Sequence, residues 1–554
     1  MTFQRQTRGR ILFIGALLFV ATLSVWRTGY PVSRPLPADA HDYAQMGREL
    51  ARGHGFATLQ LFPRQLPYLA GLGRVADLHW PNLHRFPLTT VAVGALVPLT
   101  GESLQAGVLQ SGLAYAASVP VVFATGASLG GIVPGLAAAF LFAGDPVAIE
   151  RSFSGMSESL STLFVLMAVG LSFGRRTRRW HGLVIGVLCG LAYLGRSQLV
   201  FVGAVLTAAA FLRADRGLRI RAALPIVLGM LLVVAPWWIR NASLTGDPLF
   251  SFFNTRAAVL GAMPGPSDLS VRLEAPVAWP QVLGQYGEAI GDRVRTHFQE
   301  RATSPAYWIQ MLSLPDMPLA VVFALSYIVS PRPRSRRYRA FKGVALALVL
   351  ANFLSAAILL GMPRFFAAVR PIVAIVVACE LDRAARRWLA RRLARPVRGF
   401  VVTAAAVLCA LSLTLRAPAY REGAPASQRV EALLARFAEV AGPRDVVVSD
   451  LSYLTATRTG HRSIRLPDRP RDLLEIDRAH VGIDYVLLSP AVVRGGRRRS
   501  GPYATYRDYA RFVRSRRFLR RFEAVVPPGP NGALFRARGE DAPAGSGSPG
   551  QTAP

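Results

Sequence analysis

The chain has 554 residues, 52% of them hydrophobic, a formal net charge of +33 and three cysteines, with a mean hydropathy of +0.32. A soluble nucleic-acid binder is excluded: the arginines gather in short loops beside apolar runs, and those runs approach the roughly 20 residues that cross a bilayer. Cys189, Cys379 and Cys409 all lie inside such runs, so they supply neither a disulfide framework nor metal spacing.

The basic start (Arg5, Arg8, Arg10) leads into an apolar run at 11–26. That run is long for a signal-peptide core, and the small-residue triplet at 38–40 lies far beyond it, so an uncleaved first helix is expected. Basic clusters at 175–179, 213–221, 332–342 and 383–398 mark the inner face. Lys342 is the sole lysine in the chain. Counting crossings between the clusters gives spans near 104–126, 132–149, 157–174, 183–194, 198–212, 222–238, 315–330, 343–361, 363–381 and 400–416. With the first helix that makes about eleven, and 87–100 is left as a re-entrant or interfacial segment. The expected fold is therefore an α-helical polytopic membrane protein, residues 1–416. Its first outer loop is 27–103 and its second long outer loop 239–314. Residues 417–538 read as an extracytoplasmic α/β domain, with helices at 427–440 and 506–518 and buried strands at 446–449 and 485–488. The Gly/Ser/Pro-rich stretch 539–554 reads as a disordered tail.

This topology gathers the unusual polar residues on the outer face. In the first loop Asp39 and Asp42 are three apart, with Tyr43 next, on what reads as a short surface helix. Two readings stay open: helix capping, with Asp39 as N-cap and Asp42 as the capping-box acid, or chemistry. Asp77, His79 and His84 have the side-chain types of metal ligands, but loose spacing, and no metal site is assigned. Glu158 stands at the outer end of a span, where Ser157 competes as a cap. Arg196, Arg240 (beside Asn241) and Arg364 face outward against the usual charge bias. Snorkelling explains them equally well as contact with a lipid phosphate.

The order of these motifs resembles the GT-C glycosyltransferases, which include lipid A aminoarabinose transferases and protein O-mannosyltransferases. Asp39…Tyr43-Ala44…Arg48-Glu49-Leu50 is similar to their first-loop acidic motif, and Arg85-Phe86-Pro87-Leu88 to the basic-Pro-Pro-Leu segment that follows. Pro236-Trp237-Trp238-Ile239-Arg240-Asn241 and Arg364-Phe365…Pro371 resemble later elements. The second acid of the family pair is Ala40 here. The resemblance implies a transferase in the inner (plasma) membrane with its active site outside. It would move a sugar from a polyprenyl-phosphate donor to a hydroxyl on a glycan, lipid or protein acceptor. The candidate catalytic acids are Asp39, from the motif, and Asp42 and Glu158, from their place on the outer face. The candidate donor contacts are Tyr43, Arg85, Arg240, Asn241 and Arg364, within the motifs, and His84 and Arg196, from their place on the outer face. No cofactor is assigned, though the resemblance admits a divalent metal. Membrane lipids are the other partners, and nucleic acid is not one. A transporter or flippase of a lipid-linked or amphiphilic substrate is the competing class.

Overall fold

The computed structural model describes residues 2–29, 36–174, 180–252, 254, 279–312, 319–328, 335–358, 363–389, 428–494, 506 and 508–538. The expected span at 400–416 and the tail at 539–554 lie outside the described residues. The chain divides into two compact units: residues 1–56, 83–265 and 275–423 in one, and 57–82, 266–274 and 424–554 in the other.

The first unit is helical. Among the described residues, four helices are long and apolar enough to cross a membrane: Gly9–Thr28, Ser103–Gly130, Arg216–Thr245 and Arg336–Ile358. A fifth span forms if Ile132–Ala143 and Pro146–Ser152, which meet at a 61° bend, are one crossing. The bend has a local cause. Gly144 ends the first helix, and Asp145 N-caps the second by accepting from the Val147 amide at 2.9 Å, with Pro146 at its first position. Shorter apolar helices cover Pro87–Thr100, Glu158–Ser172, His181–Gly195 and Ser197–Arg213. At 15 residues, Glu158–Ser172 runs about 22 Å, less than a hydrocarbon core of about 30 Å. The expected second long loop is not all loop: Trp279–Arg301 is helical, and the helix that begins at Arg219 continues to Thr245.

In the second unit Ala57–Thr58 (β1) pairs with Trp80–Pro81 (β3), and a six-stranded sheet has the order β2-β5-β4-β6-β8-β7: Gln60–Leu61 (β2), Arg462–Arg465 (β5), Val446–Ser449 (β4), Tyr485–Leu488 (β6), Gly532–Ala537 (β8) and Phe522–Gly529 (β7). β2, β5, β4 and β6 are parallel, and β8 and β7 continue antiparallel. Helix Gln428–Val440 packs Leu433, Leu434 and Phe437 against Val447, Tyr485 and Leu534. The edge strand β2 comes from the first loop, pairing Gln60 with Ser463 and Leu61 with Ile464, whereas the chain-order reading kept that loop with the membrane part. Where one helix was expected at 506–518, the described residues hold two short ones, Tyr509–Phe512 and Arg516–Leu519. The second restarts because the Ser515 side chain accepts from the Phe518 amide.

Candidate active site

Helix Ala38–Ala51 carries the first-loop acids, and Pro37, not Asp39, is its N-cap residue. Both acids turn to Arg85: its Nη2 donates to Asp39 Oδ1 at 2.6 Å and to Asp42 Oδ2 at 2.7 Å, and its Nε donates to Asp42 Oδ2 at 3.2 Å. Arg85 is held just before Pro87, the first residue of helix Pro87–Thr100. Burial alone would lower its pKa, but the two carboxylates outweigh it and raise the guanidinium above its ordinary value. Its guanidinium also lies 5.5 Å from the centre of the Tyr43 ring.

Tyr43 leads from this cluster to a second. It is buried, its hydroxyl meets Ser157, and burial, opposed by Arg85, pushes its pKa up. Beside Ser157, Arg196 Nη1 pairs with Glu158 Oε1 at 2.7 Å. Arg196 also lies over the Phe365 ring at 5.2 Å, and Gln198 donates to the Phe365 carbonyl at 3.3 Å. These contacts bring the Pro363–Phe366 turn, on which Arg364 sits, alongside the Arg196 turn. The Arg364 side chain lies outside the described residues.

Arg240 stands on a different support. Its guanidinium stacks 4.7 Å from the Trp237 ring and donates to the Phe56 carbonyl at 3.4 Å and to Asn241 Oδ1 at 3.1 Å. No carboxylate faces it among the described residues. An aromatic chain runs between it and Arg85: Phe86 meets Tyr193 at 5.5 Å, the Trp238 Nε1 donates to the Tyr193 hydroxyl at 3.2 Å, and Trp237 follows. Asn241 is committed to the Phe250 carbonyl at 3.2 Å. His84 is half-buried beside Arg85. Asp39, Asp42, Tyr43, Arg85, Glu158 and Arg196 thus form one continuous polar array, while Arg240 and Asn241 sit across the aromatic cluster.

Three further charged residues escaped the sequence reading. Asp145, Arg151 and Arg370 line a cleft with Glu158, Tyr115, Ser118 and Thr162. Arg370 grips Asp145 bidentately at 2.7 and 3.0 Å and donates to the Met311 carbonyl at 3.3 Å. Arg151 has a buried Nε without a partner. The Gly144-Asp145-Pro146 break was a visible cap signal, and Arg370 is an ionisable residue embedded in an apolar run, itself a functional marker in a membrane helix.

Residues 85–239 match the family model of dolichyl-phosphate-mannose-protein mannosyltransferases. Solved structures that share the fold include the following three. The Archaeoglobus fulgidus oligosaccharyltransferase, in complex with zinc and sulfate, is 13% identical; the match covers 87% of this chain and 68% of that one, with a TM-score of 0.58. ArnT from Cupriavidus metallidurans, bound to undecaprenyl phosphate, is 14% identical over 94% of this chain and 97% of that one, with a TM-score of 0.59. The archaeal oligosaccharyltransferase AglB from Archaeoglobus fulgidus, with an inhibitory peptide and a dolichol-phosphate, is 13% identical over 98% and 76%, with a TM-score of 0.51. No curated protein sequence matches the chain. The class is therefore that of multi-pass membrane proteins with the fold of the GT-C glycosyltransferases. Within it, the chain is similar to ArnT and to the protein mannosyltransferases, as its motif order indicated.

Proposed function

We propose that the protein is an integral-membrane glycosyltransferase that moves a sugar from a polyprenyl-phosphate donor to an acceptor hydroxyl, on the outer face of the cell's inner (plasma) membrane. The observation that carries this reading is Arg85 held between Asp39 and Asp42, one array away from Glu158 and Arg196. A paired acid and cation at a membrane boundary is what transfer from a lipid phosphate needs. Asp39 accepts the proton of the acceptor hydroxyl as its oxygen attacks the anomeric carbon. The bond from that carbon to the carrier phosphate breaks, its electron pair leaves with the phosphate, and the new bond forms on the opposite face, inverting the centre. Arg85 and Arg240 meet the negative charge that develops on the leaving phosphate, with Arg196 and Arg364 beside it. Undecaprenyl phosphate in ArnT and dolichol-phosphate in AglB support the choice of a polyprenyl carrier.

The zinc of the Archaeoglobus protein raises the question of a metal here. Asp39, Asp42 and Glu158 already face arginines, which supply positive charge as a cation would. Glu49, in the last turn of helix Ala38–Ala51, and His54, just beyond it, are metal-ligand types with Oε2 and Nδ1 2.8 Å apart. Activity after chelation measures the metal requirement.

Purified protein incubated with a polyprenyl-phospho-sugar and an acceptor glycan should release carrier phosphate, and Asp39→Asn should not. Translocation of intact donor across a vesicle membrane without cleavage would make the protein a transporter instead.

A further inference from the structure

In the sheet unit the stretch 509–522 holds six arginines and no acid. Five of them, Arg511, Arg514, Arg516, Arg517 and Arg520, are exposed, and none of the five makes an ion pair among the described residues. The sixth behaves differently: Arg521 holds Asp477 through Nε at 2.7 Å and Nη2 at 3.1 Å. Arg536 on β8 likewise pairs with Glu523 on β7 at 2.8 Å. The unit thus neutralises the arginines beside this stretch and leaves the five on it open.

The stretch is a built surface, not a loose loop. Tyr509 is buried, and its hydroxyl donates to the Pro467 carbonyl at 2.9 Å. Phe518 is buried as well, stacked on Phe522 with ring centres 4.9 Å apart and edge-on to Phe535 at 4.9 Å. Phe512 meets Phe518 at 5.4 Å. These anchors fix the two short helices, so the arginines project from a rigid base. Arg516 and Arg520 stand four apart in helical conformation and share a face, where like charges repel at a cost to stability. Leu519, three after Arg516, lies on that face too and is 40% exposed.

Charge complementarity sets the sign of the partner: five unpaired guanidiniums call for an anion, and their planar forks suit phosphate oxygens. Leu519 sets the kind of anion. A soluble polyanion offers an apolar side chain nothing, whereas a bilayer interface takes the arginines at its headgroups and the leucine at the acyl boundary. We infer that this surface docks on anionic phospholipid headgroups, with the five arginines on the phosphates and Leu519 inserted beneath them. The inference does not depend on the transfer reaction: it makes lipid charge a ligand of the sheet unit.

The test uses the full-length chain in nanodiscs of phosphatidylcholine, alone or with phosphatidylglycerol. A nitroxide attached through Leu519→Cys takes the leucine's place and reports insertion. Cys409→Ser removes the competing thiol, since Cys189 and Cys379 are buried. With phosphatidylglycerol present the label should be shielded from an aqueous nickel quencher and open to oxygen, and high salt should reverse this. Arg516→Gln combined with Arg517→Gln should move the docked-to-free ratio roughly tenfold or more toward free. Arg478→Gln, at an exposed arginine elsewhere in the unit, should leave it unchanged. Three results overturn the inference: no shielding with phosphatidylglycerol, equal shielding in phosphatidylcholine alone, or an equal loss in Arg478→Gln, which would reflect net charge only. Shielding by soluble polygalacturonate that phosphatidylglycerol does not match overturns it too, and gives the surface an acidic glycan as partner instead.

Discussion

Arg85 holds Asp42 through two nitrogens but Asp39 through one, and that one, Nη2, is shared. A phosphate drawing Nη2 away would free Asp39 while Asp42 keeps the guanidinium oriented. The two acids are therefore separable. Asp39→Asn should fold and bind donor but lose roughly 10²–10⁴ in rate, because an amide cannot take the proton. Asp42→Asn should keep measurable turnover with a raised donor KM. Single-turnover rates and donor titration on both variants check this, and normal turnover by Asp39→Asn would move the base to Asp42 or Glu158. Arg240 supplies the complementary case. Among the described residues no acid faces it, so Arg240→Gln strands no carboxylate and should cost only about 1 kcal/mol of stability, for the lost Trp237 stacking and Phe56 bond. A charged hydrogen bond is worth about 1.5–3 kcal/mol, so its donor KM should rise roughly tenfold or more; an unchanged KM removes it from the phosphate site. Arg85→Gln is a poorer probe, since it strands two partly buried carboxylates.

Between elements, the membrane unit is packed through glycine. A Cβ at Gly186 would meet the Ile226 carbonyl oxygen and one at Gly229 the Leu183 carbonyl oxygen, so helices His181–Gly195 and Arg219–Thr245 touch backbone to backbone. Gly229→Ala should cost about 1–3 kcal/mol through overpacking. Gly343→Ala, in helix Arg336–Ile358 where a Cβ meets nothing within 4 Å, should instead gain about 0.5–1 kcal/mol. Thermal unfolding of the two variants in one detergent measures the contrast. Equal effects would mean that the glycines matter only for helix propensity. Sequence periodicity reaches elements of this kind unevenly. The buried β-branched run 446–449 is a strand from end to end, and 87–100 forms its own short helix, because each segment's own residues fix its type. The pairing of Gln60 with Ser463 could not be read, since a two-residue strand has no period and its partner lies some four hundred residues away. In the site, Asp39 and Arg85 were read from the resemblance and Glu158 from its place at the end of a span, and each faces a partner of opposite charge. The Asp145–Arg370 pair was hidden because its members sit in unrelated apolar runs.

For the whole molecule, contacts sort the helix ends into two sets without reference to charge bias. Arg337 donates to the Ser128 carbonyl and hydroxyl, both at 3.1 Å, and Arg213 reaches the Ser172 carbonyl at 3.4 Å. These tie together one end of helices Ser103–Gly130, Glu158–Ser172, Val200–Arg213 and Arg336–Ile358. The opposite ends carry Gln110, which donates to the Met156 carbonyl at 3.0 Å, then the Glu158–Arg196 pair and the Phe365 turn. The positive-inside rule predicts that the arginine-rich set lies inside. Reporter fusions after Arg337 should then read cytoplasm, and fusions at Thr58, Asp292 and Glu431 should read outside. One of these relations is stronger than the rule. β2 and β5 share backbone hydrogen bonds, so residues near Thr58 and those of the sheet unit after Glu431 must lie on one side of the membrane, whichever it is. Helix Arg370–Leu389 ends among arginines, on the side assigned to the cytoplasm. The apolar stretch 400–416 is read from the sequence as a further crossing between that helix end and Glu431. Fusions after Arg391 and at Glu431 should accordingly report opposite sides. Matching signals at those two positions would remove that crossing and, with it, the shared outer face on which the proposed transfer depends.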